Sequence, residues 1–197
     1  CLGKTHMSEL AFSGLGLNPV TATPACINDA AAVAGGSSSG AAASIACDLA
    51  AGAIGSDTGG SVRIPAAWND LVGLKTTAGR VSVQGVVPLC ATFDTVGPLS
   101  KTVEDAALLL AALEGRTPAD LTASSLRGKR LGVLQTVAFD ELREAPALGF
   151  ETALAKVIKA GAMVEDIEIE AVSKAMPLSP ILFASEAYGT WKTVIEA

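Results

Sequence analysis

Only one histidine, His6, occurs in the chain, and its four cysteines (Cys1, Cys26, Cys47 and Cys90) form no CxxC pair. That scarcity argues against a metal centre and against a disulfide framework. It fits buried or free thiols in a reducing, cytoplasmic setting. Aromatic residues make up 4%, whereas alanine and glycine are plentiful, so backbones are expected to pack close together. Charged residues are also few, at 17% against 50% apolar, which favours a helix-covered sheet over an extended or disordered chain. A net charge of −6 with no Lys/Arg cluster excludes a nucleic-acid surface. The uncharged stretch 30–47 is mostly Ala, Gly and Ser and lacks the bulky apolar content of a membrane span. There is no internal repeat and no low-complexity tail.

What the chain does have is concentrated in residues 35–66, GGSSSGAAASIACDLAAGAIGSDTGGSVRIPA. Two Gly/Ser clusters, Gly35–Gly40 and Gly59–Ser61, bracket a run of helix formers carrying Ile45, Cys47 and Leu49. That composition excludes a flexible Gly/Ser linker. Asp57-Thr58-Gly59-Gly60-Ser61 is predicted to be a tight turn that delivers Ser61 to the start of a helical segment. Successive N–H groups at such a place form an anion-binding concavity. Acyl transfer needs those parts, a nucleophile with N–H donors aimed at a developing oxyanion, where one donor contributes roughly 3 kcal/mol. A phosphate loop is disfavoured, because no GKS or GKT follows either cluster and Gly3-Lys4-Thr5 lacks its spaced glycine. Gly36-Ser37-Ser38-Ser39-Gly40 fits a GxSxG elbow formally through Ser38. The triad of that elbow runs serine, acid, histidine, however, and His6 comes first.

Elsewhere, Ser38 or Ser39 is positioned to cap a helix of roughly 40–52, and the loop 55–60 leads to a helical turn near 62–69. Residues 18–29 read as an irregular connection, 71–75 as extended, and 81–87 as a strand or hairpin arm. Thr102, with Asp105 three positions on, caps an apolar-periodic helix that stops at Gly115. A polar connection at 116–128 precedes a strand at 130–135, a helix ending at Gly161, an edge strand at 163–169 and a final helix at 178–196. That order implies an α/β fold with a parallel crossover.

Gly36–Gly40 together with Gly55–Pro65 resembles the defining stretch of the amidase signature family. The resemblance extends to Gly3–Glu9, Gly73-Leu74-Lys75 and Gly97–Asp105. It is detailed over 2–115 and looser beyond. It implies a mixed β-sheet flanked by helices, incomplete at both ends, with 1–115 as the signature core and 129–197 as its continuation. It also implies a Ser–cis-Ser–Lys triad in place of histidine, in which Ser61 matches the nucleophile and Ser37 the bridging serine, held by a cis peptide bond. The N–H groups of Thr58, Gly59, Gly60 and Ser61 match the oxyanion hole. The family's lysine lies farther upstream than the residues preceding Ser37 here, and Lys4 and Lys75 match other positions. The chain opens on Cys1 and stops inside a helical pattern, so a fragment that is inactive by itself is expected.

The implied activity is hydrolysis of a linear carboxamide without metal or organic cofactor. The partners would be a small-molecule amide and either a second copy of the chain or the other subunits of an amidotransferase. An A-type subunit of a glutamine-dependent tRNA amidotransferase is the alternative within the family. A non-catalytic binding or assembly module is the alternative of another class, and the intact Ser37/Ser61 pair counts against it. Among supporting residues, Asp57 and Arg63 are expected to form a structural ion pair bracing the turn. Ser38 is expected in the serine network or as a cap, and Ser39 as a cap or packing residue. Trp68 and the Leu10-Ala11 pair are assigned to core packing, and His6 to a structural role.

Overall fold

A computed structural model describes all of residues 1–197 and divides them into two compact units, 1–119 with 183–197, and 120–182. In the first unit, β1 (Ala25–Cys26) and β2 (Asp29–Val33) form a small antiparallel pair inside and just beyond the segment expected to be irregular. The helix α1 covers Ser39–Ala46, and the chain leaves it through Asp48 at φ 59°. That exit is well short of residue 52, because 52–57 are needed as a strand. β3 (Gly52–Asp57) replaces the expected helix end and much of the expected loop.

The short helix α2 (Arg63–Trp68) and β4 (Val72–Gly73) come next, and β5 (Thr95–Ser100) forms the centre of an antiparallel sheet ordered β3-β5-β4. β3 and β5 pair along six residues, from Gly52 opposite Ser100 to Asp57 opposite Thr95. Period-two alternation puts Gly52 and Gly55 on opposite faces of β3. Gly52 faces Leu109 of α3 (Val103–Glu114), and Gly55 faces Ser38 at the start of α1. The sheet is therefore covered on both sides. On the α1 side Ala41, Ala42, Val62, Ala66 and Leu99 form the core, with Leu99 wholly buried. Full burial of a leucine contributes about 1.5–3 kcal/mol.

Thr102 caps α3 as expected, accepting from the Asp105 N–H at 3.0 Å, and Gly115 ends the helix in the left-handed region. Residues 81–87 are not a strand. No neighbouring strand takes up the alternation, and the segment turns back on itself through Val86 N–H to Val83 O.

In the second unit β6 (Arg130–Leu134), α4 (Glu144–Lys159) and β7 (Met163–Ile167) make the expected parallel crossover, in register from Arg130–Met163 to Leu134–Ile167. The short helix α5 (Glu170–Ala175) follows. The final helix α6 spans Ser179–Ile195, and from Phe183 onward it belongs to the first unit. There, Ala187 joins a cluster with Ala11, Leu89 and Cys90, flanked by Phe93 and Phe183. All four cysteines are free. No helix is long and apolar enough to cross a membrane.

Candidate active site

β3 ends at Asp57, and the Thr95 hydroxyl donates to the Asp57 carbonyl at 2.6 Å, which fixes where the strand stops and the turn begins. The turn is then wrapped around the Asp57 carboxylate, which is wholly buried. Oδ1 accepts from the Gly60 N–H at 2.8 Å and from Arg63 Nη2 at 3.0 Å. Oδ2 accepts from the Val62 N–H at 3.1 Å and from Arg63 Nε at 3.0 Å. Burial alone would push this carboxyl up. The Arg63 guanidinium and the Val62 and Gly60 N–H groups outweigh burial and hold it below the ordinary carboxylate range. The same pairing raises the Arg63 pKa, although Arg63 is half exposed. The fork is bidentate, the strong geometry for such pairs.

Gly60 adopts φ +131°, a backbone region that only glycine visits at low cost, and this lets the chain reverse around the carboxylate. The Gly60 N–H is already engaged by Asp57, whereas Thr58, Gly59 and Ser61 make no such bond to that carboxylate. Ser61 follows, 7% exposed, at the entry to α2.

The second Gly/Ser cluster meets this turn through the main chain. The Ser38 N–H donates to the Ser61 carbonyl at 3.2 Å. The Gly36–Ser37 peptide is cis. Ser37 is fully buried. Its carbonyl accepts from Ser8 and Ser39 N–H groups, and its hydroxyl is the one buried side-chain polar atom without a hydrogen-bond partner. Ser38 occupies the N-cap position of α1, but its hydroxyl donates to Ser56 O at 3.3 Å, tying α1 to β3 instead of capping the helix. Ser39 Oγ donates to His6 O at 3.4 Å.

The other residues singled out in the sequence make their own contacts. The His6 ring contacts the Thr21 hydroxyl at 3.1 Å on the surface, Lys4 is exposed, and Lys75 donates to Thr76 O at 2.7 Å. Trp68 is 43% exposed and lies over Gly35, so it is not the core anchor expected from its size. Of Leu10 and Ala11 only Ala11 is buried; the chain passes both at positive φ, which turns the Leu10 side chain outward. One residue had no assigned role in the sequence. Asp94 accepts the Thr58 hydroxyl at 2.5 Å. The two lie 36 positions apart, so no local pattern could have linked them.

The sequence matches the family described as Amidase over residues 1–196. It is 35% identical over 206 residues to the A-type subunit of the glutamyl-tRNA(Gln) amidotransferase of Cereibacter sphaeroides, covering 94% of this chain and 41% of that protein. It is 42% identical over 167 residues to the 2-amino-5-chloromuconic acid deaminase of Comamonas testosteroni, covering 83% and 36%. The native peptide amidase of Stenotrophomonas maltophilia superposes with a TM-score of 0.79 at 34% identity, over 98% of this chain and 44% of that one. The chain thus spans about two fifths of the length of the relatives it matches. A match along nearly all its residues, carried through both sequence and fold, means that the chain belongs to the amidase family.

Proposed function

We propose that these residues carry the nucleophile, the bridging serine and the oxyanion donors of an amidase that hydrolyses a linear carboxamide. The observation that carries the reading is the main-chain bond from Ser38 N–H to the Ser61 carbonyl, which joins the two Gly/Ser clusters with Ser37 and Ser61 both buried. Ser61 leaves a turn built around Asp57, and Ser37 lies one residue from the Ser38 N–H that grips the Ser61 carbonyl. The unpartnered Ser37 hydroxyl is available to move a proton. In this mechanism Ser61 Oγ attacks the carbonyl carbon while its proton passes to Ser37, and Ser37 gives its own proton to a neutral lysine. The N–H groups of Thr58, Gly59 and Ser61 hold the oxyanion, and the Gly60 N–H keeps the turn in shape. The C–N bond then breaks, Ser37 returns a proton to the departing ammonia or amine, and water cleaves the Ser61 ester to the acid. The family pattern places the base upstream of these residues; Lys75 donates to Thr76 O, and Lys4 lies in the exposed N-terminal segment.

Likeness to the A-type subunit of an amidotransferase supports a second reading, in which the same serines act on glutamine and pass ammonia to partner subunits. Strict glutamine preference would favour that reading, and turnover of varied carboxamides would favour the first. Fluorophosphonate labelling mapped by peptide mass spectrometry tests both. The expected result is label on Ser61 in the intact protein carrying these residues and none on the 197-residue chain alone. Absence of label from the intact protein overturns the reading.

A further inference from the structure

Next to the turn that precedes Ser61, the side chain with the most hydrogen bonds not yet given a role is Asp94. Its Oδ1 accepts from the Thr58 hydroxyl at 2.5 Å and from the Cys90 N–H at 3.1 Å. Its Oδ2 accepts from the Leu89 N–H at 2.9 Å and again from Cys90 at 3.1 Å. The Asp94 N–H donates to Cys90 O at 2.8 Å, so one carboxylate closes the 89–94 turn and also reaches across to Thr58.

The anchor is itself held in place. Leu89 and Cys90 are buried against Ala187 of α6. The Thr92 N–H donates to Glu186 at 3.1 Å, and Phe93 stacks edge-on against Phe183 with ring centroids 5.3 Å apart. The Phe183 ring also lies directly against Gly59. Thr58 and Gly59 therefore sit between a fixed carboxylate and a fixed ring. A threonine has one stiff χ1 torsion, so pinning Oγ1 restricts how its own backbone can turn. Bonds accepted by a carboxylate are the stronger kind, and Thr95, the next residue, pins the Asp57 carbonyl on the other side of the Asp57–Thr58 peptide.

We infer that Asp94 is a positioning residue for the oxyanion turn. Through the Thr58 hydroxyl it fixes the direction of the Thr58 and Gly59 N–H groups. It touches no reacting atom, and its effect on turnover rests on the reading of Ser61 as nucleophile given above.

The test uses D94A, D94N, T58V and D94A/T58V in the intact protein carrying these residues. The readouts are steady-state kinetics on a linear carboxamide, the rate of fluorophosphonate labelling at Ser61, and amide hydrogen exchange over 58–61. D94A and T58V should each lower kcat on the order of 10- to 100-fold with KM changed by less than about threefold. The double variant should lose no more than either single one, because both break the same link. D94N should recover much of the loss, since its amide can accept the 89–90 N–H groups and donate to the Thr58 hydroxyl. Exchange at 58–61 should quicken in T58V. A kcat within about twofold of the unaltered protein, or losses that multiply in the double variant, would overturn the inference. Should D94A not fold, T58V and D94N decide by the same criteria. If the unaltered protein neither turns over amides nor labels at Ser61, the functional reading falls. Exchange then decides alone: unchanged exchange at 58–61 in T58V overturns the Asp94 link, and faster exchange upholds it.

Discussion

The Ser38 N–H donates to the Ser61 carbonyl across 3.2 Å, joining the two Gly/Ser clusters by main chain rather than by their hydroxyls. The hydroxyls are thereby left for other uses, and the Ser37 hydroxyl is buried with no partner at all. Replacing a buried hydroxyl that makes no hydrogen bond costs the fold almost nothing, because no partner is stranded. Ser37→Ala should therefore leave the thermal midpoint unchanged or slightly raised. It should still slow Ser61 labelling in the intact protein by about 10²–10⁴-fold, the span of a lost proton transfer. Paired calorimetry and labelling kinetics would check this, and a lost midpoint with retained labelling would refute it.

Asp57 gives a pH signature. Its folded pKa lies below the unfolded value of about 3.9, so its contribution to stability is complete above that value. It is lost as pH falls through the folded value. Asp57→Asn removes the charge and cannot accept all the donors that meet at this carboxylate, costing about 1–3 kcal/mol at neutral pH. The urea midpoints of the two proteins should stay apart above about pH 4 and converge as pH falls below it. A gap that persists unchanged in acid would mean that the carboxylate is not what braces the turn.

How much of this was visible in the sequence follows from distance along the chain. The Thr102 cap is a local pattern of two residues three positions apart, and the structure contains it as read. The β6-α4-β7 crossover was legible for the same reason, each element carrying its own periodicity. β3 was not. GAIGSD is poor in strand formers and is a strand because six residues of β5 lie beside it. β5 hides as well, since Gly97-Pro98 reads as a turn. The Pro98 carbonyl accepts from Leu74 N–H, so its nitrogen points to that side too, and the missing N–H removes no rung between β3 and β5. At the site, Asp57 and Arg63 are six positions apart and their pairing could be anticipated, whereas Asp94 reaches Thr58 only through the folded sheet.

Thiol chemistry should separate the two exposed cysteines from the enclosed one. Burial, assisted by the nearby Glu186, pushes the Cys90 thiol up to about 11, and the residue is wholly enclosed. At pH 8 only about one in a thousand such thiols is ionised, and the thiolate is the reactive form. Cys1 and Cys47 are exposed. Iodoacetamide at pH 8 should modify Cys1 and Cys47 within minutes and spare Cys90 until denaturant is added. Peptide mapping would show it, and prompt labelling of Cys90 in the native chain would contradict the packing around Ala187.

Glycine substitutions offer a test of the framework that does not depend on activity. A Cβ at Gly40 would overlap the His6 backbone nitrogen, and one at Gly97 would overlap Leu74 O. Both obstacles are main chain and cannot rotate away, so Gly40→Ala and Gly97→Ala should each cost about 1–3 kcal/mol or more. Gly149 lies inside α4 with nothing within 4 Å of such a Cβ. There alanine only restricts the unfolded chain and suits the helix, so Gly149→Ala should stabilise by about 0.5–1 kcal/mol. Urea midpoints for the three variants would decide. If Gly40→Ala and Gly97→Ala behaved like Gly149→Ala, the close approach of 5–7 to α1, and of the chain after β4 to β5, would be wrong, and with it the scaffold that brings Ser37 to Ser61.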